Sequence, residues 1–441
     1  MAGQPQRRVI GIGPASAIVI SNMVGTGIFT TTGFMLAGGA APGDVLVAWL
    51  LGGVLAFCGA LCYGELGANL PASGGEYHYL SRLLHPALGY VSGWVSLVAG
   101  FAAPIAAAAM AMHFYAAAVF PGWPVRTMAV ATIVLLSGLH AADVRVGSRA
   151  QWWFTVVKVA LIAALIAGVL LVRPDFTRLV EFRPRFWLSS PFAVMLIFVC
   201  FAYSGWNASA YIGAEIVAPE RNLPRSLLIG TGVVMALYVL VNVAYLSAVP
   251  AEQLAGHKEV AQIVGAAQFG PRGGRAVAGL IALCLTGTVS AMVFIGPRVA
   301  EVMAADGLLP SRLARLSARG VPALAVWIQA IVSSLFAIAA VFDQLLIYVG
   351  YTLNIFGALT AVALVRLRRR GEARWQVCRG YPLPPLLFAA FALWMTVWSV
   401  RSAPRATLAG LATLLLPLAG WWIANGASRV RKHGPRARPG T

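Results

Sequence analysis

From Val9 to Leu36 the chain runs without a single charged residue. About 20 apolar residues are what a helix needs to cross the ~30 Å hydrocarbon core of a bilayer. Runs of this kind recur along the whole chain. In lipid every backbone N–H and C=O must find a partner inside the protein, which leaves only helices or closed barrels. Composition agrees: 59% of the 441 residues are hydrophobic and 11% charged, where a soluble domain carries about 25% charged residues. The expected fold class is an all-α polytopic membrane protein.

About twelve runs can be marked: 10–36, 43–69, 87–118, 127–142, 151–172, 190–218, 226–249, 276–303, 321–341, 343–366, 383–401 and 405–425. Tails at 1–9 and 426–441 flank them. The last of these, "RKHGPRARPGT", has no apolar surface to bury and is expected to be disordered. The net charge of +19 would suggest nucleic acid in a soluble protein. Here the basic residues lie mainly between apolar runs. With the N-terminus cytoplasmic, about 21 of the 33 Lys and Arg fall on that side, as the positive-inside rule requires. An even number of spans returns the C-terminus to the same side. No nucleic-acid partner is expected. Four of the five cysteines fall inside apolar runs, and none forms a disulfide framework. His78, His85 and His113 lack metal spacing, and no cofactor or metal motif is read. The Ala- and Arg-rich, Lys-poor composition points to a bacterial inner membrane.

Two runs are interrupted at their middle. The first contains Gly25-Thr26-Gly27, and each glycine costs about 1 kcal/mol in a helix relative to alanine. The sixth contains Ser204-Gly205-Trp206-Asn207. First and sixth are equivalent places if the chain holds two sets of five helices, 10–172 and 190–366, followed by a last pair over 383–425. An odd number per set inverts the second copy in the membrane. Interruptions at corresponding positions of two halves are the best sequence pointer to a transporter binding site. A break leaves free N–H groups at the start of one half-helix and free C=O groups at the end of another. The first attracts a carboxylate and the second an ammonium. An α-amino acid carries both on one carbon. Gly-x-Gly also serves close helix packing, which one break alone does not distinguish from a site.

Lys158, in "QWWFTVVKVALI", sits near the middle of an apolar helix. Intramembrane charge is costly and marks function. Snorkelling is the bland reading, and apolar residues for a turn or two on both sides make it hard.

Several segments together resemble the amino acid–polyamine–organocation transporters, in particular the L-type amino acid transporter branch. They are "VGTGIF" (24–29), "YGELGANLPASGGEYHYL" (63–80), "YIGAEIVAPERNLPR" (211–225), "SAMVFIGPRVAEVMAADGLLP" (290–310) and "RGYPLPP" (379–385). The resemblance implies the LeuT fold: a 5+5 inverted repeat with two further helices, the first and sixth discontinuous. It implies a substrate carboxylate on the backbone of Gly25, Thr26 and Gly27, with Met23 nearby. It implies an α-amino group on carbonyls of Phe201, Ala202 and Ser204, with Phe201 as an outer gate and Asn207 beside the substrate. Lys158 would bridge the fifth helix to the first half-helix, where sodium sits in sodium-coupled relatives. Relatives that join a glycoprotein do so through a cysteine in the loop after the third helix. "AAAVFPGWPVR" has none, so no disulfide-linked heavy chain is expected.

Further residues carry weaker expectations. Asn207, Tyr211 and Glu215 are spaced i, i+4, i+8 and would line the inner pathway as one helical stripe. Relatives often carry two adjacent acids where this chain has Ala214-Glu215. Glu65 and Glu76 are expected to pair with Arg221, Arg225 or Arg298 at an inner gate. Thr286 or Ser290 would face Lys158, and Tyr238 and Tyr351 are candidates for the side-chain pocket. The expected function is a secondary active transporter of L-amino acids working by alternating access, sodium-independent, as an exchanger or proton-coupled symporter. A polyamine or amine permease is the alternative, and would need acids in the pocket. A membrane-embedded enzyme would need a catalytic cluster at membrane depth that the sequence lacks.

Overall fold

A computed structural model describes the chain from residue 8 to residue 433, apart from 143, 173, 318, 319 and 403. Most of the N-terminal tail (1–7) and the end of the C-terminal tail (434–441) therefore lie outside the described residues. The protein is all-helical. Among the described residues seven spans are long and apolar enough to cross a membrane, and four shorter apolar helices accompany them.

The first run is two helices, α1 (Ile12–Met23) and α2 (Gly27–Ala37), separated by Val24–Thr26. The second is α3 (Pro42–Asn69), and α4 (Glu76–Leu83) follows in the loop. The third run is α5 (Pro86–Val95), a π-helical turn (Ser96–Ala102) and α6 (Ala103–Ala116). Pro104 explains the wider turn, since it has no N–H to give the carbonyl of Gly100. The fourth and fifth runs are α7 (Val125–Ala142) and α8 (Val144–Leu171).

The sixth run forms α9 (Ser190–Tyr203) and then stops being α-helical. Gly205 takes φ +96°, a left-handed backbone that favours glycine. Two 3₁₀ turns follow, Ala208–Tyr211 and Gly213–Glu215. This overturns the expected α-helical stripe of Asn207, Tyr211 and Glu215, because residues four apart share a face only where the α-helix continues. The remaining helices are α10 (Pro219–Ala248), α11 (Ala251–Leu254), α12 (Val260–Ala305), α13 (Ala323–Ala339), α14 (Phe342–Arg369), α15 (Leu383–Ser402) and α16 (Pro404–His433). The backbone of α16 continues past 425 into the expected tail.

α3 packs along α10, and α10 along α1, while α12 packs on α6 and α14 on α15. Small residues permit the close approaches, as membrane helix packing requires. A Cβ on Gly67 of α3 would meet Leu223 Cδ2 of α10 at 2.5 Å. The segments around the sixth-run break are tied to distant chain. Val9 and Ile10 N–H donate to the Glu215 carbonyl at 2.9 and 3.0 Å, and Gly74 N–H donates to the Tyr211 carbonyl at 3.1 Å.

Glu65 is fully buried and takes a two-pronged grip from Arg368 of α14, Nε to Oε1 at 2.5 Å and an Nη to Oε2 at 2.7 Å. Cys378 N–H adds 2.8 Å to Oε2. This corrects the expected partners: Arg298 pairs instead with Glu301 at 3.0 Å, and neither Arg221 nor Arg225 forms an ion pair among the described residues. The guanidinium on the last turn of α14 meets the Glu65 carboxylate with two parallel N–H groups, the bidentate geometry that makes such pairs strong.

Candidate functional site: a cavity at two broken helices

The breaks lie against each other. Gly205 abuts the backbone of Asn22, and an added Cβ there would be 2.9 Å from the Asn22 carbonyl carbon. A Cβ on Gly27 would meet Ala202 Cβ at 2.3 Å and Ala202 Cα at 2.4 Å. In this conformation Gly27 is therefore a close-packing glycine that lets α2 touch α9. Tyr238, from α10, holds both chain ends. Its hydroxyl donates to the Met23 carbonyl at 2.5 Å and the Ala202 carbonyl at 3.1 Å. The Phe201 carbonyl accepts Ser204 N–H at 2.9 Å. The N–H groups of Thr26, Gly27 and Ile28 find no backbone acceptor among the described residues. They are the free donors expected at a half-helix start.

Beside this junction lies a cavity. Asn22 of α1, Gly100 and Phe101 of the π-helical turn, and Pro104 of α6 form one side. Cys200 and Ser204–Ala208 of the sixth run, with Tyr211, form another. Met292 and Ile295 of α12 and Gly350, Leu353 and Asn354 of α14 also line it, with Gly357, Phe388 and Glu76. Ser204, Asn207 and Tyr211 thus meet at one wall. Met23, Gly25, Thr26, Gly27, Phe201 and Ala202 are buried and are not part of its lining. Glu215 is not on it either: its carbonyl accepts the N–H groups of Val9 and Ile10. Tyr238 and Tyr351 do not line the cavity; Tyr238 pins backbone, and Tyr351 packs against Gly410.

Lys158 is 1% exposed. Its Nζ donates to Thr288 Oγ1 at 2.7 Å, to the Val24 carbonyl at 3.2 Å and to the Ser21 carbonyl at 3.4 Å. The ammonium thus caps the C-terminal end of α1, where the helix dipole favours a cation. The partner on α12 is Thr288, not the expected Thr286 or Ser290. Thr286 donates to its own helix at Ala282, and Ser290 bonds His140 at 2.8 Å. Thr288 also contacts Gly25, whose added Cβ would sit 3.5 Å from Thr288 Cγ2.

Sequence reasoning missed three features. Glu76 was placed with the gate arginines. It instead enters the cavity wall, 3% exposed, accepting Tyr63 Oη at 2.5 Å and Asn207 Nδ2 at 3.0 Å on Oε1. Gly74 (φ +105°) and Gly75 (φ +53°) turn the loop back so that α4 begins there. Glu76 lies between the second and third spans, and burial pushes its carboxyl up to about 7 against the pull of the two hydrogen bonds. The π-helical turn was also missed, although Gly100 and Pro104 in one apolar run were its signal. π-turns often mark functional sites. The third is Asn354, a polar residue on the α14 side of the cavity.

A helical membrane protein with two touching broken helices, a buried ammonium at one break and a largely apolar cavity with a few polar groups at the other has the build of a solute carrier. Residues 12–422 match the amino acid permease family, and the chain belongs to it. It is accordingly a multi-pass membrane protein of amino acid transport, not an enzyme, and membership implies the LeuT fold. The chain is 29% identical to the human (Homo sapiens) b(0,+)-type amino acid transporter 1 over 411 residues, covering 90% of this chain and 84% of the relative. It is 29% identical to the rat (Rattus norvegicus) large neutral amino acids transporter small subunit 2 over 436 residues, covering 94% and 80%. It is 28% identical to the mouse (Mus musculus) Asc-type amino acid transporter 1 over 425 residues, covering 93% and 79%.

Proposed function

We propose that this permease carries L-amino acids by alternating access without sodium, as an exchanger or a proton-coupled symporter. The observation that carries the reading is the Lys158 ammonium seated on the Ser21 and Val24 carbonyls. A fixed cation there takes the role a mobile one would play at a helix C-terminus. The substrate carboxylate binds the backbone around Gly25, Thr26 and Gly27. The α-amino group binds carbonyls of Phe201, Ala202 and Ser204, with Asn207 alongside. Phe201 closes the outer side, and Tyr211 and Glu215 belong to the inner pathway. Because Gly27 abuts Ala202 here, α2 must part from α9 to admit the carboxylate. In this reading 10–172 and 190–366 are the inverted repeats and rock against each other, with 383–425 as the added pair.

One relative is named a small subunit. The present chain has no cysteine in the loop after its third span, which supports action without a disulfide-linked partner. Cytoplasmic termini follow from the charge bias, and an inner-membrane location from composition. The second reading, an amine or polyamine permease, is favoured by one observation: Glu76 puts an acid on the cavity wall.

Counter-flow in proteoliposomes tests this. L-amino acids should exchange at equal rates in sodium and choline buffers, and carboxyl-blocked analogues should not compete. Lys158→Ala should cut the rate at least tenfold while the protein still inserts, since hydrogen bonds from a charged donor are worth about 1.5–3 kcal/mol each. Strong competition by blocked analogues, or uptake of diamines alone, would select the second reading.

A further inference from the structure

The charge state of Glu76 is the open chemical question at the cavity. Its Oε1 takes two neutral donors, Tyr63 and Asn207. Its Oε2 is buried and meets no partner among the described residues. Among the described residues no Lys, Arg or His pairs with the carboxyl. The titratable groups around it are Tyr63 of α3, Tyr79 of its own helix and Tyr211 after the break. All three are neutral near pH 7. α5 and α14 pack on α4. α5 carries no charged residue; on α14 Arg368 is held by Glu65 while Arg366 and Arg369 are exposed, and on α4 itself Arg82 is exposed and His78 half-buried, none of them paired with Glu76 among the described residues. A lone carboxylate in such a place is costly. A carboxylate facing a substrate ammonium is compensated.

Resting on the transport reading above, we infer that Glu76 is the proton-carrying group of the substrate site: its carboxyl is protonated while the cavity is empty and gives up that proton when the ammonium of a substrate, held at the Ser204 end of the sixth-run break, enters the cavity that Ser204 and Glu76 both line. The step is one proton transfer. The O–H bond of the carboxyl breaks, the proton passes to water in the cavity, and the carboxylate–ammonium pair forms; nothing is oxidised or reduced. Asn207 links this event to the broken helix. Its amide donates to the same carboxyl, and a hydrogen bond to a charged acceptor is stronger than one to a neutral acid. Loss of the proton therefore tightens the Ser204–Asn207 segment on the loop that carries Glu76. A carrier that returns empty takes a proton with it, while one that returns loaded does not.

The test is calorimetric titration of the purified full chain with each of the twenty L-amino acids, at pH 6 to 8, in buffers of different ionisation enthalpy. The wild type should release close to one proton per substrate at pH 6, and its affinity should fall up to about tenfold per pH unit below the carboxyl's midpoint. Glu76→Gln keeps an acceptor oxygen for Tyr63 and Asn207 but holds no exchangeable proton. It should bind with no proton release and a flat pH profile. Glu76→Asp should restore the pH dependence, which a purely structural role would not predict. Binding by the wild type without proton release, or a Glu76→Gln profile that matches the wild type, overturns the inference and leaves amino acid transport standing. Failure of all twenty to bind overturns the transport reading and this inference with it.

Discussion

At the scale of single residues, the two glycines of the first break have different work. Gly27 touches Ala202 so closely that any Cβ must push α2 and α9 apart. Gly25 has only ordinary contact with Thr288 and Met23. Overpacking a tight contact costs about 1–3 kcal/mol. Gly27→Ala should therefore lower the melting temperature of the purified protein by several degrees and depress exchange. Gly25→Ala should melt within a degree or two of the wild type, so any loss of amino acid affinity it shows reports on the carboxylate site. Equal melting of the two variants would contradict the packing described for Gly27. The sequence motif gave these glycines one role, and only the position of Ala202 separates them.

At the scale of elements, α10 is the strut that sets the geometry of the breaks. Tyr238 stacks in an aromatic group with Trp49 and Tyr203, at centroid distances of 5.3 and 5.0 Å. Its hydroxyl binds one carbonyl from each broken helix. Tyr238→Phe keeps the ring and removes both bonds, leaving two buried carbonyls a donor short. The expected cost is about 1–3 kcal/mol, read as a lower denaturation midpoint, with exchange slowed more than substrate affinity is weakened. An unchanged midpoint would mean that the carbonyls find other donors. An isolated tyrosine in an apolar run gives no sign of this role, because its partners are 215 and 36 residues away in sequence.

At the scale of the whole molecule, closure rests on bonds between the two proposed repeats. Glu65, in the first repeat, is bonded to Arg368 at the end of α14, the helix that closes the second repeat, and the carboxylate is fully buried. Removing one partner of a buried pair typically costs 3–5 kcal/mol, because the other charge is left uncompensated. Arg368→Ala should lower thermal stability and raise the rate at which a maleimide labels Cys378, which is buried beside the pair. Glu65→Gln with Arg368→Met should be milder than Arg368→Ala alone, since it leaves no unpaired buried charge. If Arg368→Ala leaves both labelling and melting unchanged, the pair is no latch.

The sequence by itself determined the class of this protein. Long uncharged runs admit only membrane helices, and glycine or small polar residues at mid-depth mark where those helices stop. Lys158 was legible for the same reason: a charge in hydrocarbon must be held by something. Periodicity and composition are local quantities, so they identify elements and interruptions. They do not say what lies across the bundle. That Lys158 meets Thr288 and not its neighbours on α12, that Glu65 takes Arg368, and that Glu76 joins Asn207 at the cavity are contacts between residues 130 to 303 positions apart. Helix rotation and close packing at small residues decide such pairs, and a shift of one residue along an α-helix turns a side chain by about 100°. Only the tertiary structure fixes that angle.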